Sequence, residues 1–422
     1  MALTPRQVEI VKSTVPIIKE HGTTVTKTFY HNMLKAHPEL LNYFSLRNQQ
    51  TGDQQAALAK SVLAYATYID DLGKLSHAVE RIAHKHASLY VKAEQYDVVG
   101  EYLIGAFGEV LGDGLTPEVK EAWVAAYAQL AGVFIQKEQA LYDEVSAWKD
   151  WRKFRIAAKE PENQSVVNLY LEPVDGQGLP TYLAGQYVSL RVPIPELEGL
   201  YQNRQFSLSE APVEKPSRYR ISVKREATNA GSVEDLRQGK VLGLISNILH
   251  DKYHVGDEVQ LSAPRGEFFV GKKGLTESQK PLVLLSAGVG ASALIAILDA
   301  VLASTSATRP IQWVHTARHT SNTCYTQHVR EQAAKHNNLK AKIFVKETRP
   351  EDGIGNEYDV LGRMTTDVLA KEVELPFDVE EAEYYACGPE EWMVELRSFL
   401  ESRGVKRDRV HLELFKTGDV DQ

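Results

Sequence analysis

One histidine of this sequence lies on an apolar helical face and is a candidate metal ligand. His86 lies in the stretch "RIAHKHASLY" (81–90), and apolar residues share its face at helical spacing: Val79, Ile82, Ala83, Leu89 and Tyr90. A neutral imidazole is the commonest metal ligand. Most histidines on such a face are core residues with one hydrogen-bond partner, so the stretch alone leaves both interpretations open.

A glycine-rich turn and a second turn near the C-terminus are candidate nucleotide sites. Within "LLSAGVGASA", six residues follow a predicted strand and open a helix: Gly288, Val289, Gly290, Ala291, Ser292 and Ala293. The glycines permit close backbone approach, and the free N–H groups of the helix start favour a pyrophosphate. Cys387, Gly388 and Pro389 end another predicted strand, where ligands bind in parallel sheets. The alternative there is a strand-ending turn with a buried thiol.

The stretch "RQFS" could hold a flavin. It consists of Arg204, Gln205, Phe206 and Ser207. An arginine and a hydroxyl can bind phosphate, and an aromatic ring can cover an isoalloxazine. Ser246, followed by Asn247, is predicted to be a helix N-cap and a second pyrophosphate site. An ordinary strand arginine and a capping serine are the alternative interpretations.

The elements before residue 150 are predicted to be helices. Apolar residues recur there with a period of 3.6, and strand signals are scarce. Helix starts are predicted at Thr4-Pro5, Gly52-Asp53, Lys92-Ala93 and Thr116-Pro117, with a break at His37-Pro38. This pattern predicts an all-α domain over residues 1–147.

After "SAWKDWRKFRIAAK" the pattern changes to short strands. Five or six candidates and one small helix near residues 246–250 predict a compact antiparallel barrel, which we place at 151–265. From Pro281 onwards strands alternate with helices, which predicts a parallel α/β domain at 278–422. The expected organisation is therefore three domains.

Composition narrows the class of protein. The chain has 422 residues, a net charge of −8 and a pI near 6.0, which argues against binding to nucleic acid or an anionic membrane surface. Its two cysteines, Cys324 and Cys387, cannot build a disulfide framework or a cysteine-based zinc site. The N-terminus lacks a signal-peptide core, and no run approaches the ~20 apolar residues that span a bilayer. We expect a cytoplasmic protein with no integral membrane segment.

These motifs resemble two known modules. "RQFS", "GQY" (ending at Tyr187), "AGVG" and "CGP" resemble, in this order, the ferredoxin-NADP reductase family. The stretches "FYHNM", "PELLNYF", "TGDQQAAL", "KHASLYVKAEQY" and "FIQKEQALY" resemble the globin domain of flavohaemoglobins. The resemblance covers essentially the whole chain. It implies an all-α globin, an FAD-binding barrel and an NAD(P)-binding α/β domain, with one haem b, one FAD and NAD(P)H as electron donor.

The resemblance assigns roles on the proximal side of the haem. It implies that His86 is the iron ligand and that Tyr96 and Glu138 form hydrogen bonds beyond it. Such bonds increase electron donation to the iron. Lys85 matches a residue that tunes the haem–flavin region, with a solvated lysine as the alternative.

On the distal side the resemblance implies four residues. Tyr30 would donate a hydrogen bond to bound oxygen, assisted by Gln54. Leu58 would form a wall of the pocket, and Phe44 would pack against the porphyrin. The alternative for each is a core residue of its helix.

The resemblance also implies that a C-terminal segment contacts the cofactors. The sequence departs from the family in this segment and at two other places. The segment consists of Glu413, Leu414, Phe415, Lys416 and Thr417. Leu414 and Lys416 replace a small residue and a cysteine. Phe206 stands where tyrosine is usual, and Ser292 and Ala293 stand where threonine and proline are usual. These changes affect the expected flavin potential and hydride-transfer rate, not the reaction class.

The implied activity is that of a nitric oxide dioxygenase. NAD(P)H would reduce FAD, single electrons would reach the haem, and NO and O2 would become nitrate. Two alternatives are an oxygen- or NO-binding sensor and a flavin reductase of iron, quinones or dyes. Arg318 lies near the end of the second α/β strand, where an arginine can accept a 2′-phosphate. We therefore expect that NADPH is accepted at least as well as NADH. We expect a monomer.

Overall fold

The computed structural model describes residues 2–227, 232–241, 243–304 and 308–415. Its first part is helical: α1 Pro5–Ser13, α2 Val15–Ala36, α3 Leu46–Thr51, α4 Asp53–Thr67, α5 Ser76–Ser88, α6 Ala93–Leu111 and α7 Pro117–Glu144. Thr4 forms a capping box with Gln7, and the Thr116 hydroxyl accepts a hydrogen bond from the N–H of Val119. The helices begin where they were predicted to begin, at Pro5, Asp53, Ala93 and Pro117. The threonine caps stabilise two of these starts, because they satisfy N–H groups that the first turn leaves unpaired.

The helices pack into two apolar clusters. The larger one includes Phe29, Tyr30 and Trp123, all buried. The smaller one lies around Tyr96 and Phe134 and includes the buried alanines of α5. The two clusters place the candidate distal residues and the candidate metal ligand on separate packed surfaces of the same helical unit.

An antiparallel sheet of six strands follows: β1 Arg152–Pro161, β2 Val166–Pro173, β3 Tyr187–Pro193, β4 Tyr201–Ser207, β5 Tyr219–Lys224 and β6 Glu258–Leu261. The strand order is β4-β3-β6-β1-β2-β5, and a bridge between Leu208 and Ile221 joins the two outer strands into a barrel. Two short helices, α8 Val233–Arg237 and α9 Leu244–Asp251, lie between β5 and β6. Strand β1 begins inside the stretch that the sequence analysis placed before the strands.

The last part has a parallel sheet with helices: α10 Lys272–Thr276, β7 Leu282–Ala287, α11 Ala291–Ala303, β8 Ile311–His319, α12 Thr326–Lys335, β9 Leu339–Glu347, β10 Val360–Leu361, α13 Thr366–Glu372, β11 Glu383–Cys387, α14 Glu390–Ser402 and β12 Val410–Glu413. The order is β10-β9-β8-β7-β11-β12, with every pair parallel. The chain direction across the sheet reverses between β7 and β11, which creates a switch point at their carboxyl ends.

Buried hydrogen bonds join the helices to the barrel. They run from Ser189 Oγ to Ser88 Oγ (2.9 Å), from the Ala263 N–H to Tyr90 Oη (3.2 Å) and from the Gly266 N–H to His84 Nδ1 (3.0 Å). The three helical partners all lie on or directly after α5. That helix therefore contacts the barrel along the same turn that carries His86. In the described ranges, no helix is long and apolar enough to cross a membrane.

Candidate functional site

His86 on α5 is held by two side chains from neighbouring helices. Its Nδ1 lies 2.8 Å from Glu138 Oε1 of α7 and 2.9 Å from Tyr96 Oη of α6. Tyr96 also donates to Glu138 at 2.5 Å, and Tyr127 Oη donates to the Tyr96 carbonyl at 2.6 Å. Glu138 is 2% exposed, and a buried carboxylate is costly unless donors surround it. Here the imidazole and the phenol supply those donors.

This arrangement sets the tautomer of His86. A carboxylate only accepts hydrogen bonds, so we assign the ring proton to Nδ1. The Tyr96 phenol stays protonated, because burial and the Glu138 carboxylate both raise its pKa above the usual value. The Nε2 lone pair is then free, and the His86 side chain is 34% exposed. One imidazole supplies one ligand, which suits a metal already held by a macrocycle.

Tyr30, Gln54, Phe44 and Leu58 come together in the larger helical cluster. The Tyr30 ring meets Phe44 edge-on at 5.4 Å between centroids, and the Gln54 side chain lies near the Tyr30 hydroxyl. Leu58 and Phe44 are half-buried against the same cluster. Burial raises the pKa of Tyr30 above its usual value, so its hydroxyl remains a proton donor. The structure therefore brings these residues together in one packed cluster that contains a protonated phenol.

Charged residues from three separate parts of the chain meet beside His86. Lys85 of α5, Arg204 of β4 and Glu413 of β12 lie in a poorly solvated environment. Burial lowers the pKa of Lys85 to about 8 and that of Arg204 to about 10. Burial also raises the pKa of Glu413 well above its usual value, an effect that the nearby Arg81 and Lys85 partly offset. Lys85 is half-buried in this cluster, which does not fit a fully solvated lysine.

The barrel places the "RQFS" strand opposite Tyr187. In the β3–β4 pair, Tyr187 faces Ser207 and Ser189 faces Gln205. The hydroxyl of Ser88 contacts this pair: it accepts from Ser189 Oγ at 2.9 Å and from Gln205 Nε2 at 3.4 Å, and it lies near the Tyr187 phenol. Phe206 is half-buried against the barrel core. The candidate flavin residues therefore lie against the end of the helix that carries His86.

The prediction that Ser246 caps a helix is wrong. Helix α9 begins at Leu244, and its N-cap is Gly243 with φ +59°. Because glycine tolerates this left-handed conformation, the chain enters the helix earlier than the sequence pattern suggests. Ser246 lies in the first turn, where its hydroxyl donates to the Gly243 carbonyl at 3.1 Å. The Asn247 amide donates to the Glu226 carbonyl at 3.2 Å.

The glycine-rich turn lies between β7 and α11, as predicted. Gly288 has φ +55°, and a Cβ on Gly290 would lie 2.2 Å from the Cys387 carbonyl oxygen. The turn after β7 therefore packs directly on the turn after β11. Burial raises the pKa of the Cys387 thiol well above its usual value. The thiol is thus a packing group at the switch point.

The remaining predicted residues have clear positions. Val289 is half-buried in the turn, Ala291, Ser292 and Ala293 are buried in α11, and Gly388 and the exposed Pro389 lead into α14. Glu413 pairs with Cys387 across β11 and β12, Leu414 is half-buried, and Phe415 is 48% exposed. Lys416 and Thr417 lie outside the described residues. Arg318 forms an exposed ion pair with Glu347 (3.2 Å).

Sequence reasoning missed Arg265. It is 2% exposed and lies beside the helix–barrel joint, where its Nη1 donates to the Pro264 carbonyl at 3.1 Å. Its Nε and Nη2 have no hydrogen-bond partner among the described residues. The signal was an arginine directly after the apolar strand candidate "DEVQLSAP". A buried arginine of this kind places a positive charge between the helices and the barrel.

Comparisons with known proteins cover the whole chain. A globin family model matches residues 27–134, and a model described as an oxidoreductase NAD-binding domain matches residues 284–397. Flavohemoproteins of Bordetella pertussis and Deinococcus radiodurans are both 42% identical to it. The first alignment covers 99% of this chain and 100% of the relative, and the second covers 98% and 97%.

Two solved structures are also similar. The crystal structure of flavohemoglobin from Malassezia yamatoensis, which has bound FAD and heme, matches with a TM-score of 0.80 at 28% identity. It covers 99% of this chain and 100% of that one. The FAD/NAD-binding domain of nitric oxide dioxygenase from Vibrio cholerae matches with a TM-score of 0.50 at 30% identity, covering 63% of this chain and 98% of that one.

The packing of the two turns leads to a test. Gly290→Ala should weaken NADH binding roughly tenfold or more, because the added methyl must push the Cys387 turn away. The measurement is the Kd for NADH in protein with unchanged flavin content. Gly271→Ala is the control, since its Cβ would meet nothing within 4 Å. Equal effects of both substitutions would contradict the proposed role of this close approach.

Proposed function

Because this chain belongs to the flavohaemoprotein family, we propose that it is a nitric oxide dioxygenase that converts NO and O2 to nitrate at the expense of NAD(P)H. The family and the fold predicted from the motifs are confirmed. The limits 1–147, 151–265 and 278–422 for the three domains stay a prediction. The observation that carries the activity is the buried Glu138 hydrogen-bonded to His86 Nδ1 at 2.8 Å.

The residues present fit the three cofactors. The free Nε2 of His86 would ligate the iron of haem, with Tyr30, Gln54, Phe44 and Leu58 on the opposite side. Tyr187 and the strand Arg204–Ser207 would hold FAD. The turn 288–293 and the turn 387–389 would hold NAD(P)H. When bound, FAD divides a hydride into single electrons and haem supplies the iron at which the two gases react.

The hydrogen bonds to His86 favour an enzyme over a simple oxygen carrier or sensor. The Glu138 carboxylate oxygen lies 2.8 Å from Nδ1, and a carboxylate partner there strengthens the imidazole as an electron donor through Nε2. Reversible gas binding does not require so strong a donor, whereas oxygen chemistry benefits from it. Tyr96 shares the same proton network and fixes the orientation of the ring.

The contact between the helices and the barrel supports electron transfer within one chain. Ser88 lies two residues after His86, and its hydroxyl accepts a hydrogen bond from Ser189 at 2.9 Å and lies near the Tyr187 phenol. Lys85, the residue before His86, lies in the charged cluster with Arg204 and Glu413. Groups proposed to hold flavin and haem thus lie on elements in direct contact. A flavin reductase with an incidental globin would not need this continuity.

The test of the proposed function is NO consumption by the purified holoprotein in air with NAD(P)H. We expect stoichiometric nitrate and nucleotide oxidation that depends on NO. NADPH should support turnover at least as well as NADH if Arg318 accepts a 2′-phosphate. Nucleotide oxidation that is indifferent to NO but reduces ferric iron, quinones or dyes would favour the reductase. Oxygen or NO binding without nitrate would favour the sensor.

A cytoplasmic monomer is part of the same proposal. The two cysteines, Cys324 and Cys387, are both buried free thiols. Such thiols suit a reducing compartment. Gel filtration of the holoprotein with light scattering would measure the oligomeric state.

Removing the charge of Glu138 should separate its electronic role from folding. Glu138→Gln should keep haem and fold but lower NO turnover by about ten- to a hundredfold, the usual loss when a partner of a metal ligand is removed. The iron–histidine stretching frequency of the ferrous protein should fall, because the imidazole loses a negative partner. Glu121→Gln, at an exposed position on the same helix, is the control. An unchanged frequency in Glu138→Gln would contradict the proposed effect of Glu138 on electron donation by His86.

Tyr30→Phe should weaken oxygen binding far more than carbon monoxide binding. A hydrogen bond to a ligand with partial negative charge contributes roughly 1.5–3 kcal/mol, so oxygen affinity should fall about ten- to a hundredfold. The measurement is the dissociation rate of each gas from the reduced protein. Tyr65→Phe is the control, because that buried hydroxyl donates to the Ala126 carbonyl. Equal changes for both gases would mean that Tyr30 acts through packing.

A further inference from the structure

A cavity of about 370 Å³ lies where the helices meet the barrel. Its lining combines residues 37–43, the start of α6, the linker residue Trp151 and Arg191 of β3. None of its lining residues belongs to the sets proposed above for haem, FAD or nucleotide. The cavity therefore has no assigned ligand.

Arg191 is the cation in this cavity. Its guanidinium carbon lies 4.3 Å from the Trp151 ring centroid and 4.6 Å from that of Tyr201. Its Nε donates to Gln260 Oε1 at 2.8 Å. These contacts fix the plane of the guanidinium, and its two Nη atoms form an edge that has no hydrogen-bond partner among the described residues. Such an edge can bind a carboxylate with two parallel hydrogen bonds.

Arg191 has no carboxylate partner in the described ranges of the chain. The Asp150 carboxylate lies near enough to raise the pKa of Arg191, but it forms no ion pair with Arg191 among the described residues, and its Oδ1 accepts from the Trp151 N–H at 2.7 Å. Glu39, on another wall of the cavity, contacts the His37 ring at 3.2 Å. Burial lowers the pKa of Arg191. Because the usual pKa of arginine is far above neutral, the group stays charged near neutral pH. It is a partly desolvated cation that lines the cavity.

The rest of the lining defines what can accompany an anionic group. Leu40 and Leu89 are buried, and Val98 is half-buried, so part of the wall is apolar. The exposed carboxylates of Glu39 and Glu94 lie at the same cavity and disfavour a ligand with several negative charges. One negative charge with an apolar body meets both requirements.

We propose that this cavity binds a small organic monocarboxylate, whose carboxylate pairs with the Nη edge of Arg191 and whose apolar part packs on Leu40, Leu89 and Val98. The site is separate from the proposed dioxygenase chemistry. Because its lining comes from both the helices and the barrel, an occupant would contact both sides of the joint.

The test measures the binding of benzoate, the probe, to the full holoprotein by equilibrium dialysis. We expect one saturable benzoate per chain and at least tenfold weaker binding of benzamide, which has the same shape without the charge. Arg191→Gln should weaken benzoate binding at least tenfold. Arg218→Gln should not, although Arg218 also stacks on a tyrosine ring of the barrel (Tyr170, 4.3 Å).

The haem absorption band distinguishes this cavity from the iron. A carboxylate on the iron would shift that band in proportion to occupancy, whereas binding at Arg191 should leave it unchanged. The proposal is overturned by a band shift that follows benzoate binding, by equal binding of benzamide, or by no saturable binding below about 10 mM. It is also overturned by benzoate affinity that survives Arg191→Gln. The comparison of benzoate with benzamide holds in the unmodified protein whether or not that variant folds.

Discussion

The hydrogen bond between Glu138 and His86 Nδ1 is the interaction on which the rest of this molecule depends. It places a carboxylate that is 2% exposed against an imidazole whose second nitrogen is open. A carboxylate in such a place would destabilise the fold if its donors were absent. The fold therefore holds α5, α6 and α7 at positions where Tyr96 and His86 both reach Glu138. The same geometry directs Nε2 of His86 away from the helices that supply the carboxylate.

Helix α5 connects this network to the reductase part of the chain. Residues within two positions of His86 contact the barrel through His84 and Ser88, and Lys85 lies with Arg204 and Glu413. An alteration of the barrel surface therefore acts on the helix that carries the proposed iron ligand. The buried Arg265 lies at the same joint, so its positive charge is poorly screened there. The charges and the packing contacts at this joint therefore depend on both the helices and the barrel.

Each proposed cofactor region uses a different physical principle. The haem region depends on a buried hydrogen-bond network, and the flavin region depends on the pairing of β3 with β4. The nucleotide region depends on the close contact between Gly290 and the Cys387 carbonyl at the point where the sheet order reverses. Along the chain the haem region comes first, the flavin region second and the nucleotide region last. This order is the opposite of the proposed path of electrons, which runs from nucleotide to flavin to haem.

The sequence by itself determined the class of most elements. Helical periodicity, the capping threonines and the G-x-G turn are local patterns, so the helices before residue 150 and the strand–turn–helix at Gly288 could be predicted. The barrel was predicted with less detail, because "RKFRIAAK" mixes charges with apolar residues and hides strand β1. The cap was wrongly predicted at Ser246 because Gly243, three residues earlier, takes the left-handed conformation that starts the helix.

Only the tertiary structure decided which distant residues meet. Lys85, Arg204 and Glu413 are more than a hundred residues apart in sequence, and no local pattern reports that burial perturbs the pKa of all three. The burial of Arg265 and the stacking of Arg191 between Trp151 and Tyr201 depend likewise on contacts between separate parts of the chain. Periodicity records which side of an element is apolar, whereas the charge, hydration and partners of a side chain are properties of the packed molecule.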